Sequence, residues 1–327
     1  MLTVICSFIR AAIMQGIPLL YGSTGEIITE KSGHLNLGIP GIMYMGGISG
    51  IIGGYIYEHS TDAPNAFVAV VISLAASLAG SAFMSLIYGF LTVTLRANQN
   101  VTGLALTTFG IGMGNFFGGS LLKFFGETGS IYLAATSKGY RAVLPFASKL
   151  GIFGETFLSF GFLAYLAIVV ALLASFFLNK TRVGLNLRAI GENPATADAA
   201  GINVIRYKYL SIITGGMIAG LGGLYFVMDY TGGGWTNDGF GDRGWLAIAI
   251  VIFALWKPKL SILASFIFGG LYIVCVQIPG LSAPMKEAIK MLPYVVTVAV
   301  LILISIHNKR ENMPPQSLGL SYFREDR

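Results

Sequence analysis

Long apolar segments alternate with short polar segments along almost the whole chain. A helix that crosses the hydrocarbon core of a membrane needs about 20 mostly apolar residues, so the pattern predicts about nine spans, within a range of roughly eight to ten. The predicted spans occupy residues 1–20, 38–57, 63–95, 101–120, 156–179, 209–228, 244–256, 260–278 and 291–306. The predicted fold class is therefore all-α, a polytopic helical membrane protein.

This pattern also predicts the domain organisation. Residues 1–306 are expected to form a single transmembrane domain. Residues 307–327 form a polar, proline-containing tail, which we expect to be loose because chain ends are poorly ordered unless something ties them down.

A polar, glycine-rich segment at residues 21–37 separates the first two predicted spans and carries Glu26, Glu30, Lys31 and His34. A re-entrant segment near residues 21–41 is the alternative to an exposed loop. Irregular backbone is tolerated at membrane depth where the protein or a water-filled cavity satisfies its polar groups.

The longest polar stretch in the middle of the chain, residues 180–208, contains the signals of a short helix. Asn193 is a good N-cap, and Pro194 suits the first helical position because its missing N–H would have no partner there. Gly201 can end the helix in a left-handed conformation. A capped helix of small residues on a loop between spans is typical of a docking element, and an ordered loop without a partner is the alternative.

Composition supports the membrane assignment and charge predicts an orientation. Of the 327 residues, 54% are hydrophobic and only 11% are charged, against about 25% charged in soluble domains. Most lysines and arginines fall on the side of residues 180–208 when nine spans are threaded. The positive-inside rule then places this stretch and the C-terminus in the cytoplasm and the N-terminus outside the cell membrane. The net charge of +6 therefore reports orientation, and no nucleic-acid partner is predicted.

The sequence offers no pattern for catalysis, a metal or a cofactor. Cys6 and Cys275 are far apart, and the three histidines are scattered. No phosphate-binding G-x-x-x-x-G-K-[ST] loop occurs. Residues 239–244 match G-x-G-x-x-G, but a dinucleotide site also requires a strand and a βαβ unit, and here the neighbours are predicted spans.

Polar residues within or beside the spans predict a hydrophilic pathway. The candidates are Asn36, Asn100, Thr107 and Asn115. Polar groups in a bilayer face the protein interior or a cavity. The alternative for each is a hydrogen bond that joins two helices.

Several motifs resemble those of a known family. They are GEIITEKSGHLNLGIPGIMYMGG at 25–47, NVTGLALTTFG at 100–110, GLNLRAIGENPATADAAGINV at 184–204, GWLAIAIVIFALWKPKLSILASFIFGG at 244–270 and MLPYVVTVAVLIL at 291–303. They are similar to the permease subunits of ABC transporters for simple sugars and nucleosides, a group that also includes branched-chain amino-acid permeases. The resemblance covers nearly the whole chain and is nearest to the nucleoside branch. Pro40 departs from the family pattern, which often has an acidic residue there.

The resemblance implies a function and a set of partners. The chain is expected to be a permease subunit that translocates nucleosides by alternating access across the lipid bilayer. It is expected to pair with a second, homologous permease, to bind a separate ABC ATPase that hydrolyses ATP, and to receive its small-molecule solute from an external substrate-binding lipoprotein. The family's coupling helix corresponds to residues 193–201 of this chain. The expected ATPase-coupling residues are Glu192, Asn193, Pro194, Ala195, Asp198, Ala199, Ala200 and Gly201.

Three alternatives stay open at this point. The solute is a simple sugar, or a branched-chain amino acid, or the chain is a secondary transporter that acts alone. An ion-coupled transporter tends to carry carboxylates or histidines inside its spans, and residues 63–95, 97–122, 156–179 and 260–285 carry none. We therefore expect that the chain alone binds no ATP and transports nothing.

The orientation is testable with single cysteines. In a background without Cys6 and Cys275, Asp62→Cys is expected to react from outside the cell, and Thr196→Cys only after the membrane is opened. The measurement is labelling with a membrane-impermeant maleimide on intact and permeabilised cells. Labelling of both positions from outside would overturn the orientation.

Overall fold

The computed structural model describes residues 2–124, 126, 131–145, 147–278, 280, 282–307 and 312–323. Apart from one β-bridge between Tyr132 and Gly234, regular structure in these residues is helical. The α-helices are α1 Leu2–Glu30, α2 Ile39–His59, α3 Ala66–Gly89, α4 Gln99–Phe124, α5 Ala134–Tyr140, α6 Gly151–Phe157, α7 Phe162–Lys180, α8 Arg182–Glu192, α9 Pro194–Ala199, α10 Val204–Tyr225, α11 Arg243–Phe253, α12 Pro258–Gln277, α13 Ala283–Lys290 and α14 Leu292–His307. One turn of 3₁₀-helix spans Ala147–Leu150.

Two of these helices end in a turn of π-helix. Phe90–Thr94 continues α3, and Phe226–Tyr230 continues α10. In each the backbone N–H bonds the carbonyl five residues earlier, from Leu95 to Phe90 and from Thr231 to Phe226.

The structure confirms a polytopic helical membrane protein. Five helices are long and apolar enough to cross a membrane: Val4–Glu30, Ile39–His59, Ala66–Thr94, Phe162–Lys180 and Val204–Tyr230. Arg243–Phe253 and Pro258–Val274 are shorter apolar helices. The remaining predicted spans, 101–120 and 291–306, coincide with α4 and α14.

Helix α2 lies at the centre of the bundle, packed against α1, α3, α4 and α10. Its residues from Ile39 to Ile48 are all buried. Small residues allow the close approach, as expected for helices that pack in lipid. A Cβ atom on Gly46 would lie 2.4 Å from the backbone oxygen of Gly220 in α10. The backbones of α2 and α10 are therefore in direct contact at Gly46 and Gly220.

The predicted end of the first span at residue 20 is wrong, because α1 continues to Glu30. Its polar last turns are buried in the bundle, where Glu26 finds a partner: the backbone N–H of Asn36 donates to Glu26 Oε1 at 2.8 Å. Glu26 lies one helical turn, about 6 Å, before the end of α1. The non-helical segment 31–38 therefore folds back along α1 before α2 begins.

The expectation of a loose C-terminal tail is wrong for residues 312–323; residues 308–311 and 324–327 lie outside the described residues. The Ser317 backbone N–H and hydroxyl both donate to the Gly191 carbonyl, at 3.0 and 2.6 Å. The Gly319 N–H donates to the Gly33 carbonyl at 3.2 Å. The tail therefore connects α8 to the turn between α1 and α2.

The two ends of the bundle are named here by a helix at each. The α9 end holds segment 31–38, the start of α4, helices α8 and α9, and the tail. The α5 end holds the end of α2, where Glu58 Oε1 accepts hydrogen bonds from the N–H and hydroxyl of Thr136, both 2.6 Å long.

Candidate functional site

The short helix predicted in the central polar stretch is present as α9, and its signals act as expected. Asn193 Oδ1 accepts a hydrogen bond from the Thr196 N–H at 3.0 Å, and Pro194 occupies the first helical position. Gly201 follows the helix at φ +83°, in the left-handed region. Because Asn193 also ends α8, the two helices meet at a single residue.

One face of helix α9 packs against the rest of the protein, and another face is exposed. Ala197 is buried against Ile190 of α8 and Val204 of α10. The outer face is formed by Ala199, Ala200 and Gly201, which lie at and just after the end of the helix and are exposed. Of the predicted coupling residues, Glu192, Asn193, Ala199, Ala200 and Gly201 are exposed, whereas Pro194, Ala195 and Asp198 are half-buried. Most of this set is therefore accessible to a partner.

Asp198 has a different position from the one expected for a partner-binding carboxylate. It accepts a hydrogen bond from the hydroxyl of Tyr322 in the tail at 2.8 Å. Asp198 therefore already joins α9 to the tail within this chain.

Lys31 connects the turn after α1 to the same region. A Cβ on Gly191 would lie 2.4 Å from the Lys31 carbonyl oxygen, so α8 and the turn approach at backbone distance. Burial lowers the pKa of the Lys31 ammonium; the charge of Arg188 adds to this effect, and that of Glu192 opposes it. At Lys31, α8 is therefore in direct contact with segment 31–38, and the tail joins the two a second time through Ser317 and Gly319.

The structure brings two of the four predicted pathway residues together. Asn36 is fully buried, and its Oδ1 accepts from the Gly38 N–H at 2.9 Å. Thr107 of α4 donates to the Leu37 carbonyl at 2.7 Å. Asn36 Nδ2 is buried without a hydrogen-bond partner among the described residues. Asn36 and Thr107 thus hold the entry into α2 inside the protein.

The other two pathway residues lie elsewhere. Asn100 is exposed at the start of α4. Asn115, further along α4, makes two hydrogen bonds to Asp238: its Nδ2 donates to Oδ1 at 2.8 Å, and its Oδ1 accepts from the backbone N–H at 3.1 Å. The four residues therefore do not meet at one place. The predicted alternative is a hydrogen bond that joins two helices; Thr107 and Asn115 each bond instead to a non-helical segment, at Leu37 and Asp238.

Two carboxylates that the sequence pattern placed in the polar segment 21–37 are buried in a helix. Glu26 and Glu30 lie in α1 at 0% and 2% exposure. Glu26 accepts from Asn36, and Glu30 accepts a hydrogen bond from the indole N–H of Trp256. The absence of carboxylates holds for the segments on which it was based, but α1 is an exception, and so is the apolar helix Val204–Tyr230, which contains the buried Asp229. The spacing of four residues between Glu26 and Glu30 was the available signal, and assigning residues 21–37 to a loop hid it.

A second buried charged group, Arg243, was also missed. It is 6% exposed at the start of α11, where its Nε and Nη2 donate to Gln15 Oε1 at 3.0 and 2.9 Å. Its guanidinium carbon lies 4.7 Å from the ring centroid of Phe226 and 4.8 Å from that of Tyr272. The G-x-G-x-x-G match at residues 239–244 thus contains a structural arginine in a cation–π cage.

Aromatic rings fill the space beside this arginine. Helix α11 has 11 residues, about 16 Å, or roughly half the hydrocarbon thickness. Segment 231–242 therefore reaches into the bundle, where Phe240 packs on Tyr44 at 4.6 Å between ring centroids and Trp235 lies 6.1 Å from Tyr44. The Asn115–Asp238 pair borders these rings. This region combines stacking surfaces with hydrogen-bonding groups.

Comparison with known proteins agrees with the motifs. A family model described as "Branched-chain amino acid transport system / permease component" matches residues 8–304. The nucleoside ABC transporter permease protein NupC of Lactococcus lactis is 32% identical over 94% of this chain and 93% of the relative. The putative glucose ABC transporter permease protein TsgC13 of Haloferax volcanii is 29% identical over 97% of both chains. The guanosine ABC transporter permease protein NupQ of Bacillus subtilis is 28% identical over 90% of both.

L. lactis and B. subtilis each contain a second relative, which is named as a nucleoside or a guanosine ABC transporter permease protein respectively. NupB of L. lactis and NupP of B. subtilis are each 23% identical to the chain, over 93% and 90% of its length and 80% of each relative. All five relatives are named as permease proteins, which are transport subunits. Because the family model covers almost all of the sequence and NupC matches it nearly end to end, the chain belongs to the family of branched-chain amino acid transport system permease components.

Proposed function

We propose that the chain is one permease subunit of an ATP-driven ABC importer that carries nucleosides into the cell by alternating access. The observation that supports this most directly is the α8–α9 element, which exposes small residues and contacts the turn that leads into the centre of the bundle. The names of NupC and NupQ support the nucleoside class. The name of TsgC13 favours a simple sugar as the second candidate.

In this proposal the α9 end faces the cytoplasm and docks in a groove of the ATPase. Glu192, Ala199, Ala200 and Gly201 form the contact, because they are exposed and three of them have small side chains that permit close approach. Movement of α9 passes to α8 through Asn193, the residue the helices share.

From α8 the movement reaches the centre of the membrane domain by two contacts. Gly191 touches Lys31 directly. It also accepts hydrogen bonds from Ser317 of the tail, and Gly319, two residues further on, donates to Gly33. Both contacts end on segment 31–38, which carries Asn36. The ATPase thereby acts on the start of α2, the most buried helix of the bundle.

The other subunits of the proposed importer follow from the family. A second, homologous permease completes the membrane unit, and the paired names NupB with NupC and NupP with NupQ support a heterodimer. An external lipoprotein delivers the solute at the α5 end. A nucleoside is uncharged and aromatic, and the rings of Tyr44, Trp235 and Phe240 beside Asn115 and Asp238 have matching chemistry.

The coupling proposal predicts the effect of bulk on α9. Ala199→Trp is expected to reach the membrane in normal amount yet to lose ATPase association and solute-stimulated ATP hydrolysis by about tenfold or more, because an overpacked interface cannot relax locally. The measurements are co-purification of the ATPase and hydrolysis rates beside membrane abundance. Ala63→Trp, an exposed alanine at the α5 end, is the matched control and should behave as wild type. Wild-type binding and stimulation in Ala199→Trp would make α9 an ordinary loop element.

The interior polar contacts predict the effect of Asn36→Leu. Leucine has a similar volume but leaves the Gly38 N–H without its acceptor, which costs about 1–3 kcal/mol. We expect solute uptake to fall severalfold while assembly with the ATPase is retained, since Asn36 is fully buried and is not part of the exposed face of α9. Uptake into proteoliposomes and co-purification are the readouts. Asn100→Leu, on an exposed residue of the same type, should leave uptake unchanged. Equal uptake in both variants would reduce Asn36 to a structural role.

The solute class is testable with the reconstituted complex. Labelled guanosine and uridine are expected to accumulate only with ATP and the ATPase present, and unlabelled nucleosides should compete while glucose and leucine should not. Glucose or leucine accumulation would replace the nucleoside assignment. Transport by the purified chain without ATPase would instead indicate a secondary transporter, for which Glu26 and Glu30 would be the ion-coupling candidates.

A further inference from the structure

A cavity at the α9 end has no role in the transport path described above. Its volume is about 340 Å³, and it lies between the π turn of α3, the turn from α9 to α10, segment 31–38 and the tail. The lining residues that carry its chemistry are His34, Thr92, Arg96, Asp198, Lys208 and Tyr322. About ten water molecules would fill such a volume, at roughly 30 Å³ each.

Lys208 is the most unusual side chain of this cavity. It is 3% exposed and lies on the second turn of α10. In the part of the chain that the structure describes, its ammonium has no hydrogen-bond or ion-pair partner, and it borders the cavity. Burying a charged group is costly unless it is paired. The cavity is the place where Lys208 can acquire a partner.

His34 presents a second unsatisfied polar atom to the same cavity. The side chain is 1% exposed, and its Nδ1 has no hydrogen-bond partner among the described residues. Burial, with the nearby charge of Lys208 adding to it, lowers the pKa of this imidazole well below its usual value. A neutral imidazole supplies one donor and one acceptor, so the tautomer that carries its proton on Nδ1 can donate to an anion without adding charge.

Among the described lining residues, the ionisable groups leave one net positive charge in the cavity, because Lys208 and Arg96 outnumber the single carboxylate of Asp198. Arg96 lines the cavity. Its backbone φ is +57°, which is uncommon for residues other than glycine. Its guanidinium carbon lies 4.6 Å from the ring centroid of Phe323. The N-terminus of the 22-residue helix α10 borders it through Val204 and Ile205, and helix N-termini favour anions. Asp198 is the one carboxylate among the described lining residues, and it accepts the hydroxyl of Tyr322.

We propose that this cavity is a binding site for a phosphate-bearing anion, with Lys208 as its central cation. Lysine binds phosphate as a point charge, and charge-assisted bonds of this kind are about twice as strong as neutral ones. The volume exceeds that of inorganic phosphate and accommodates a phosphate monoester with a sugar-sized organic part. The phosphate comes either from a soluble monoester or from a lipid headgroup. The bound anion bridges α3, the α9–α10 turn and the tail.

The test is binding to the purified full-length chain in neutral detergent. Radiolabelled ribose 5-phosphate and guanosine 5′-monophosphate are the soluble probes, with guanosine as the phosphate-free control. Phosphatidic acid in nanodiscs of phosphatidylcholine is the lipid probe. Saturable binding of a monoester identifies a soluble ligand, and selective retention of phosphatidic acid identifies a lipid; either supports the site if the variants below weaken it.

Two variants tie binding to this cavity. Lys208→Met keeps the apolar stem and removes the charge, so affinity should fall about tenfold or more. Ile205→Asp adds a negative charge on a lining residue that is 59% exposed and should weaken binding similarly without disturbing the core, whereas Ile205→Ser should not. Lys180→Met, on an exposed lysine outside the cavity, should also have no effect. The proposal is overturned if no phosphate probe binds, or if Ile205→Asp binds as tightly as wild type.

Discussion

The polar backbone of segment 31–38 lies inside the protein, and the requirement to satisfy it shapes the α9 end of the molecule. The Leu35 N–H donates to Gln99 Oε1 at 2.8 Å, and the Leu35 carbonyl accepts from the Tyr88 hydroxyl at 2.6 Å. Asn36 donates its N–H to Glu26. These partners come from α4, α3 and α1, so one irregular segment gathers three helices. A buried backbone group without such a partner would cost several kcal/mol in a membrane.

This segment also connects the membrane helices to the α8–α9 element. Segment 31–38 is held on one side by the membrane helices and on the other by Gly191 and the tail. The carboxylate of Glu26 also belongs to this network, which gives a buried acidic group a structural reason to be there apart from ion coupling.

Local signals in the sequence predicted much of this structure, and long-range contacts account for what they missed. The apolar segments give the spans because hydropathy is a local property. Asn193, Pro194 and Gly201 predict α9 because a cap, a first-turn proline and a left-handed glycine act within one short helix. The partner of Glu30 is Trp256, 226 residues away in sequence. Without knowledge of such a partner, the carboxylates at the end of α1 predict a polar loop and not a buried helix.

The predicted pathway residues show the same dependence on long-range contacts. Residue type identified Asn36, Thr107 and Asn115 as polar groups among spans, and all three are hydrogen-bonded there. Whether they share a path depends on which segment each one faces. Asn115 faces Asp238, 123 residues away. Ser317 of the tail is a further example. Nothing in the surrounding sequence indicates that its hydroxyl bonds Gly191, because the contact depends on the path of the whole chain.

The π turns of α3 and α10 have a mechanical consequence. The two helices pack along their middles, where Gly216 and Gly220 of α10 meet Ser85 and Ser81 of α3. The π turn of α3 lies at the α9 end and that of α10 at the α5 end. A π turn is a local weakness in the helical hydrogen-bond ladder and a common point of bending. Bending is therefore expected at the α9 end of α3 and at the α5 end of α10, while the glycine and serine contacts keep the middles of the two helices together.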